Sequence, residues 1–261
     1  MEQNPFAPAS GEAGRSYHGL HDGRFAKLWP QAGPPAPAAV LAHEAFRAMV
    51  LSEPYPCLVS RGVLRRGDYR FGAYAALGSA EAAQAAAADL WQFIHDFPIR
   101  ADHFASFVAS FDGPICADEA QFEQVLWSHL QLMHDADREH HEWNSGVGSD
   151  PNAKGFSFSF SGRAFFVVGM HPASSRWARR GARPTLVFNA HEQFDILRET
   201  GRMAPITGAI RARDREMQGH ENPALRYFDG DHPETVMYSG RLPEDGWKCP
   251  LHIAPGAPVN P

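Results

Sequence analysis

A chain of 261 residues, 44% hydrophobic and 21% charged, can bury a full core and has the make-up of an ordinary soluble globular protein. With 24 Lys and Arg against 30 Asp and Glu it is mildly acidic, so nucleic acid is not the expected partner, although a local basic loop survives inside an acidic whole. Three cysteines without a CxxC pair exclude a disulfide framework and favour a reduced, cytoplasmic setting; no apolar run approaches the ~20 residues that span a bilayer, and MEQNPFAPASGEAG lacks a signal-peptide layout.

In chain order, residues 1–37 are rich in Pro, Gly and Ala and read as an extended, loosely packed arm, followed by one domain over 38–253 and a tail over 254–261. Ala38 to Leu51 is predicted as a helix with Val40, Leu41, Phe46 and Val50 on its apolar side. Pro56 to Val59 and Tyr69 to Tyr74 read as paired strands of a hairpin. Ser79 to Phe97 is an Ala-rich helix, Phe104 to Phe111 a strand, and Ala117 to about Glu142 a second long helix opened by Asp118. After a Gly/Ser/Asp/Pro loop at 144–152, two strands flank a turn at Ser161-Gly162.

Pro184 to Phe188 is a further strand, and Asn189 with Glu192 has capping-box spacing for a helix reaching about Gly201. Ala209 to Gln218 is a charged helix ended by Gly219, and little regular structure is expected beyond Asn222. Strands and helices are mixed without strict alternation, which predicts an α+β fold, a single domain with a largely antiparallel sheet flanked by helices.

Three groups of residues could carry chemistry. Arg176, Arg179, Arg180 and Arg183 lie beside His171 at the end of a buried strand. Guanidinium groups grip carboxylate or phosphate in a two-bond fork, so this is a place to hold an anion, with a solvated basic loop as the alternative. Trp127, Gln131, His134, Arg138 and His141 share a helix face with Asp137 beside them. That set could ligate zinc or non-heme iron, although it matches neither HExxH nor the paired Glu-x-x-His pattern. Cys249, between Trp247-Lys248 and Pro250, is either a heme thiolate or a buried structural cysteine, and Cys57 after Pro56 carries the same ambiguity. GxSxG, GxGxxG and Walker A patterns are missing.

Taken together, Pro56-Cys57, LWSHLQLMHDAD (126–137), FSFSFSGRAFFVVGMHPASSRWARR (156–180), PTLVFNAHEQFDILR (184–198), IRARD (210–214), QGHENPAL (218–225), YSGR (238–241) and WKCPLH (247–252) resemble the YqcI/YcgG family from about residue 50 to about 252. The chain departs from that pattern around His232-Pro233-Glu234 and at Leu251, where Phe is expected, so its substrate need not be the family's.

The resemblance implies a heme-dependent monooxygenase that hydroxylates a guanidino or amino nitrogen of an amino acid or related amine in natural-product biosynthesis. Heme b would be the cofactor, with His171 as axial ligand of the iron and Cys249 as the competing ligand. Arg176, Arg179 and Arg180 would pair with the propionates, and His134, Asp137 and His191 would move protons or orient the substrate amine. The implied partners are a small amino-acid-like or amine substrate and an electron donor or peroxide, with a homodimer as the assembly allowed. Two other readings are a heme sensor or carrier without turnover, and a non-heme iron or zinc enzyme built on His134, Asp137 and His141.

Overall fold

The computed structural model describes residues 3–7, 14–99, 104–229 and 232–254. Among them, the strands β1 (Tyr17–His21), β2 (Arg24–Trp29), β3 (Tyr69–Ala76), β4 (Ser106–Gly113), β5 (Phe158–Phe160), β6 (Arg163–Met170) and β7 (Thr185–Ala190) form one sheet in the order β2-β1-β3-β4-β7-β6-β5. Every pairing is antiparallel except β3 with β4. That pair is parallel because α3 (Ala80–Asp96) joins the two strands as a crossover, which a tight hairpin cannot do. The α+β class and the largely antiparallel sheet are as the sequence predicts.

Side-chain alternation along the strands divides the interior in two. Phe107, Ala109 and Phe111 of β4, Phe165 and Val167 of β6, and Leu186 and Phe188 of β7 face α3 and α4 (Glu119–Asp137). The intervening residues Val108, Met170 and Val187 face the other way. The first face is densely packed. Ala85, Ala86, Ala87 and Ala88 let α3 lie close, and α4 inserts Phe122, Leu126 and Leu130, each at 0% exposure. Burying a side chain of that size contributes roughly 1.5–3 kcal/mol. Both helices start on side-chain caps: Ser79 Oγ accepts from Ala82 N at 3.2 Å, and Asp118 Oδ1 accepts from Gln121 N at 2.8 Å.

The second face is covered by α1 (Pro37–Leu51), α2 (Leu58–Arg66), α5 (His191–Glu199) and α6 (Met203–Gln218). A short α7 (Thr235–Tyr238) packs on β6. The turn between β5 and β6 has Ser161 at φ 49° and Gly162 at φ 68°, the left-handed pair that a two-residue hairpin needs.

Several expectations are corrected. Residues 17–29, expected in a loose arm, form the β1–β2 hairpin at one edge of the sheet, and Phe6 and Tyr17 are 1% exposed. A buried Arg15–Asp89 pair ties this segment to α3. The segment after Pro56 is helical: Cys57 Sγ caps α2 and Gly67 at φ 79° ends it, so β3 pairs with β1 and β4 instead. In α1 the buried face is Ala39, Ala42, His43, Phe46 and Val50, while Leu41 is 67% exposed. Asn189 belongs to β7, and α5 begins at His191 with no side-chain cap. The α6 helix starts at Met203, one and a half turns before the predicted Ala209. Of the predicted tail over 254–261, all but Ala254 lies outside the described residues.

Candidate functional site

Strand register builds the floor of a cavity on the second face. Ser106, Asn189 and Phe166 stand opposite one another across β4, β7 and β6, and Val108, Val187 and Val168 form the next row. All six side chains border a cavity of ≈ 230 Å³. Its walls are Phe46 and Val50 of α1, Val59 and Leu64 of α2, Phe194 and Leu197 of α5, and Met203, Ile206 and Ile210 of α6. The four covering helices meet the sheet without closing the space between them. The resulting pocket is predominantly apolar with a few placed polar groups, the usual character of a small-molecule site.

Those polar groups cluster at one wall. Cys57, half-buried, lines the cavity at the N-terminus of α2, and its Sγ accepts the Ser60 N–H at 3.4 Å. Beside it the Arg179 guanidinium donates to the carbonyls of Gly169 at 2.8 Å, Met237 at 3.1 Å and Tyr238 at 3.3 Å. Burial lowers the Arg179 pKa, with Tyr55 and Cys57 acting in the opposite sense. Gln193 donates to Ala105 O at 2.8 Å, and no described residue donates to its Oε1. Farther along, Asp214 accepts from Arg176 at 2.6 Å and from the Asn222 backbone N–H, and both Asp214 and Asn222 border the cavity. Outside the lining, Glu53 bridges Arg61 and Arg213, whose hydrogen bonds hold its carboxyl down at about 2, and Arg213 donates to the carbonyl of Tyr55, a lining residue, at 2.9 Å.

The predicted site residues are not all brought together. Arg179 borders the cavity and Arg176 reaches it through Asp214. Arg180 donates to Ser174 O at 2.8 Å and lies over the Trp177 ring, and Arg183 pairs with Asp112. His171 points to the other face of the sheet, stacked on Phe122 with ring centroids 4.2 Å apart; burial lowers its pKa, and its Nδ1 has no partner among the described residues. Cys249 also belongs to that face, and burial pushes its thiol up to about 12.

His134 and Asp137 lie there on α4. His134 Nε2 accepts from Ala254 N at 3.2 Å, and burial lowers its pKa. Asp137 accepts from Ser161 N at 3.0 Å and lies 2.8 Å from His141 Nδ1. His191, at the start of α5, lies 3.1 Å from Glu234 Oε1. Burial works against its charge, but Glu234 and Asp195 outweigh that and its pKa is raised. Among the described residues no group of three or more His, Cys, Asp or Glu side chains is placed to hold a metal ion. No helix there is long and apolar enough to cross a membrane.

Sequence reasoning left Cys57 ambiguous and missed Gln193, Asp214 and Asn222 as site residues. Asp214 and Asn222 stand in IRARD and QGHENPAL, so their blocks were visible but not their convergence on Arg176. The fit to a heme group follows from the donor set. A flat apolar group would find apolar walls and one soft sulfur donor in Cys57.

A family model, that of the YqcI/YcgG family, matches residues 46–252. No curated protein and no solved structure matches the chain.

Proposed function

The chain belongs to the YqcI/YcgG family, and from that premise and the cavity we propose that it is a heme-dependent monooxygenase that hydroxylates a nitrogen of an amino acid or related amine. The observation that carries the proposal is the apolar cavity of ≈ 230 Å³ with half-buried Cys57 in its wall. The three cysteines are free, which suits a reducing, cytoplasmic setting.

Bound heme supplies an iron centre able to activate oxygen or peroxide. The residues of the chain do the rest. Cys57 would hold the iron, because the alternatives His171 and Cys249 belong to the opposite face of the sheet, away from the cavity wall. The valine rows of the floor exclude water from the reacting nitrogen. Gln193 Oε1 accepts an N–H of the substrate and holds that nitrogen in one orientation. Asp214, steadied by Arg176 and Asn222, sets a carboxylate near a cationic substrate group.

Absorption spectra of the purified protein in ferric, ferrous and CO-bound forms test this reading. A Soret band is expected, displaced or lost in Cys57→Ser and retained in Cys249→Ser and His171→Ala. Absence of any porphyrin band after reconstitution with hemin overturns the cofactor assignment. NADPH- or peroxide-dependent formation of a hydroxylamine separates an enzyme from a carrier.

A further inference from the structure

In the 171–183 loop Arg176 and Arg183 are paired with aspartates, the Arg179 guanidinium is taken up by carbonyls, and Arg180 does not border the cavity, which leaves open what would meet the carboxylate arms of a porphyrin there. A second hollow of ≈ 250 Å³ lies between α2 and α6 and adjoins the cavity, with Val59, Phe104, Leu197 and Ile206 bordering both. Its remaining lining includes two cations, Arg66 from the last turn of α2 and Arg202 at the start of α6.

Arg202 is exposed, lies 5.9 Å from the Phe104 ring, and has no acidic partner among the described residues. Arg66 spends only its Nε on Asp68 at 2.5 Å, and its Nη1 would stand 3.1 Å from a Cβ placed on Gly62. The glycine thus leaves room for that guanidinium against the groove. Asp68 is the acidic side chain paired there, so the groove retains a positive balance.

We propose that this groove takes the propionates of the porphyrin, with Arg66 and Arg202 as their partners, while the macrocycle fills the cavity against Cys57. The assignment rests on the heme reading above. Arg66 is carried by the same helix whose first turn caps on Cys57, so iron ligand and carboxylate partner are set on one rigid element.

The test uses the full chain and two probes, metal-free protoporphyrin IX and its dimethyl ester, followed by fluorescence. It also follows hemin transfer from the loaded protein to apomyoglobin. Arg66→Ala/Arg202→Ala should bind protoporphyrin IX about fivefold more weakly than wild type, the scale of two exposed ion pairs, and bind the ester equally. Hemin should leave the double variant faster, and the wild-type rate should rise with salt while that of the variant does not. Arg66→Lys/Arg202→Lys should recover part of the loss.

Equal binding of acid and ester by wild type, or a transfer rate unchanged in the double variant, overturns the arginine assignment alone. A wild-type protein that takes up neither hemin nor protoporphyrin overturns it together with the heme reading.

Discussion

His129 is fully buried on α4, with Nδ1 accepting the Gly78 backbone N–H at 3.2 Å and Nε2 without a partner among the described residues. Burial alone pushes its pKa down to about 3. The folded chain therefore holds it neutral, whereas the unfolded chain binds a proton near pH 6.5. Its contribution is complete above that pH and declines as the pH falls toward 3, by about 1.4 kcal/mol per unit at most. His18, His43, His134 and His171 are lowered by burial too and act in the same direction. His129→Asn, which keeps an acceptor for Gly78, should make stability less sensitive to acid between pH 6.5 and 4. Urea midpoints across that range measure it, and a slope equal to wild type would refute the assignment. The partners of such residues are far away in sequence: Arg179 bonds the Tyr238 carbonyl 59 residues on, and Arg176 an aspartate 38 residues on. A run of arginines read locally looks like an anion grip, because nothing nearby shows that the guanidiniums are already used.

At the scale of elements, the contact of α4 with β6 depends on Gly169. A Cβ there would stand 2.7 Å from Leu126 Cδ1, 2.8 Å from Phe122 Cε1 and 2.9 Å from the Tyr238 carbonyl oxygen. The last of these is backbone and cannot swing aside. Gly169→Ala should therefore destabilise the protein by about 1–3 kcal/mol, the usual range for overpacking, read as a lowered urea midpoint with an unchanged slope. A variant as stable as wild type would mean that α4 can lift away. The elements packed this tightly, α3, α4 and the β5–β6 hairpin, were legible because propensity, caps and apolar spacing agree in each. The α2 helix and the β1–β2 hairpin were not. Pro56 to Val59 is too short an apolar run to separate helix from strand, and the Pro- and Gly-rich first 37 residues hide two strands, of which β1 pairs with β3 and buries Tyr17, His18 and Gly19.

For the molecule as a whole, the sheet separates a close-packed face from one that encloses a hollow. Left empty, a cavity of ≈ 230 Å³ would correspond, at roughly 24 cal/mol per Å³, to at most about 5.5 kcal/mol of forgone packing. A chain folded around such a space gains from whatever fills it, so stability and ligand binding should compete for one volume. Val187 is the residue to test this, because it stands in the middle of the floor between Val108 and Val168. Val187→Phe should occupy part of the hollow, raising the ligand-free thermal midpoint by the equivalent of about 0.5–2 kcal/mol while removing porphyrin uptake. Changes on the opposite face should not reproduce that pairing of effects, since removing the Leu126 side chain there only opens a void in the core, at about 2–5 kcal/mol. Calorimetry of ligand-free Val187→Phe and Leu126→Ala beside porphyrin titrations of both separates the cases. If Val187→Phe is destabilised and still takes up porphyrin as wild type does, the hollow is not the site, and the binding surface must be sought on the other side of the sheet.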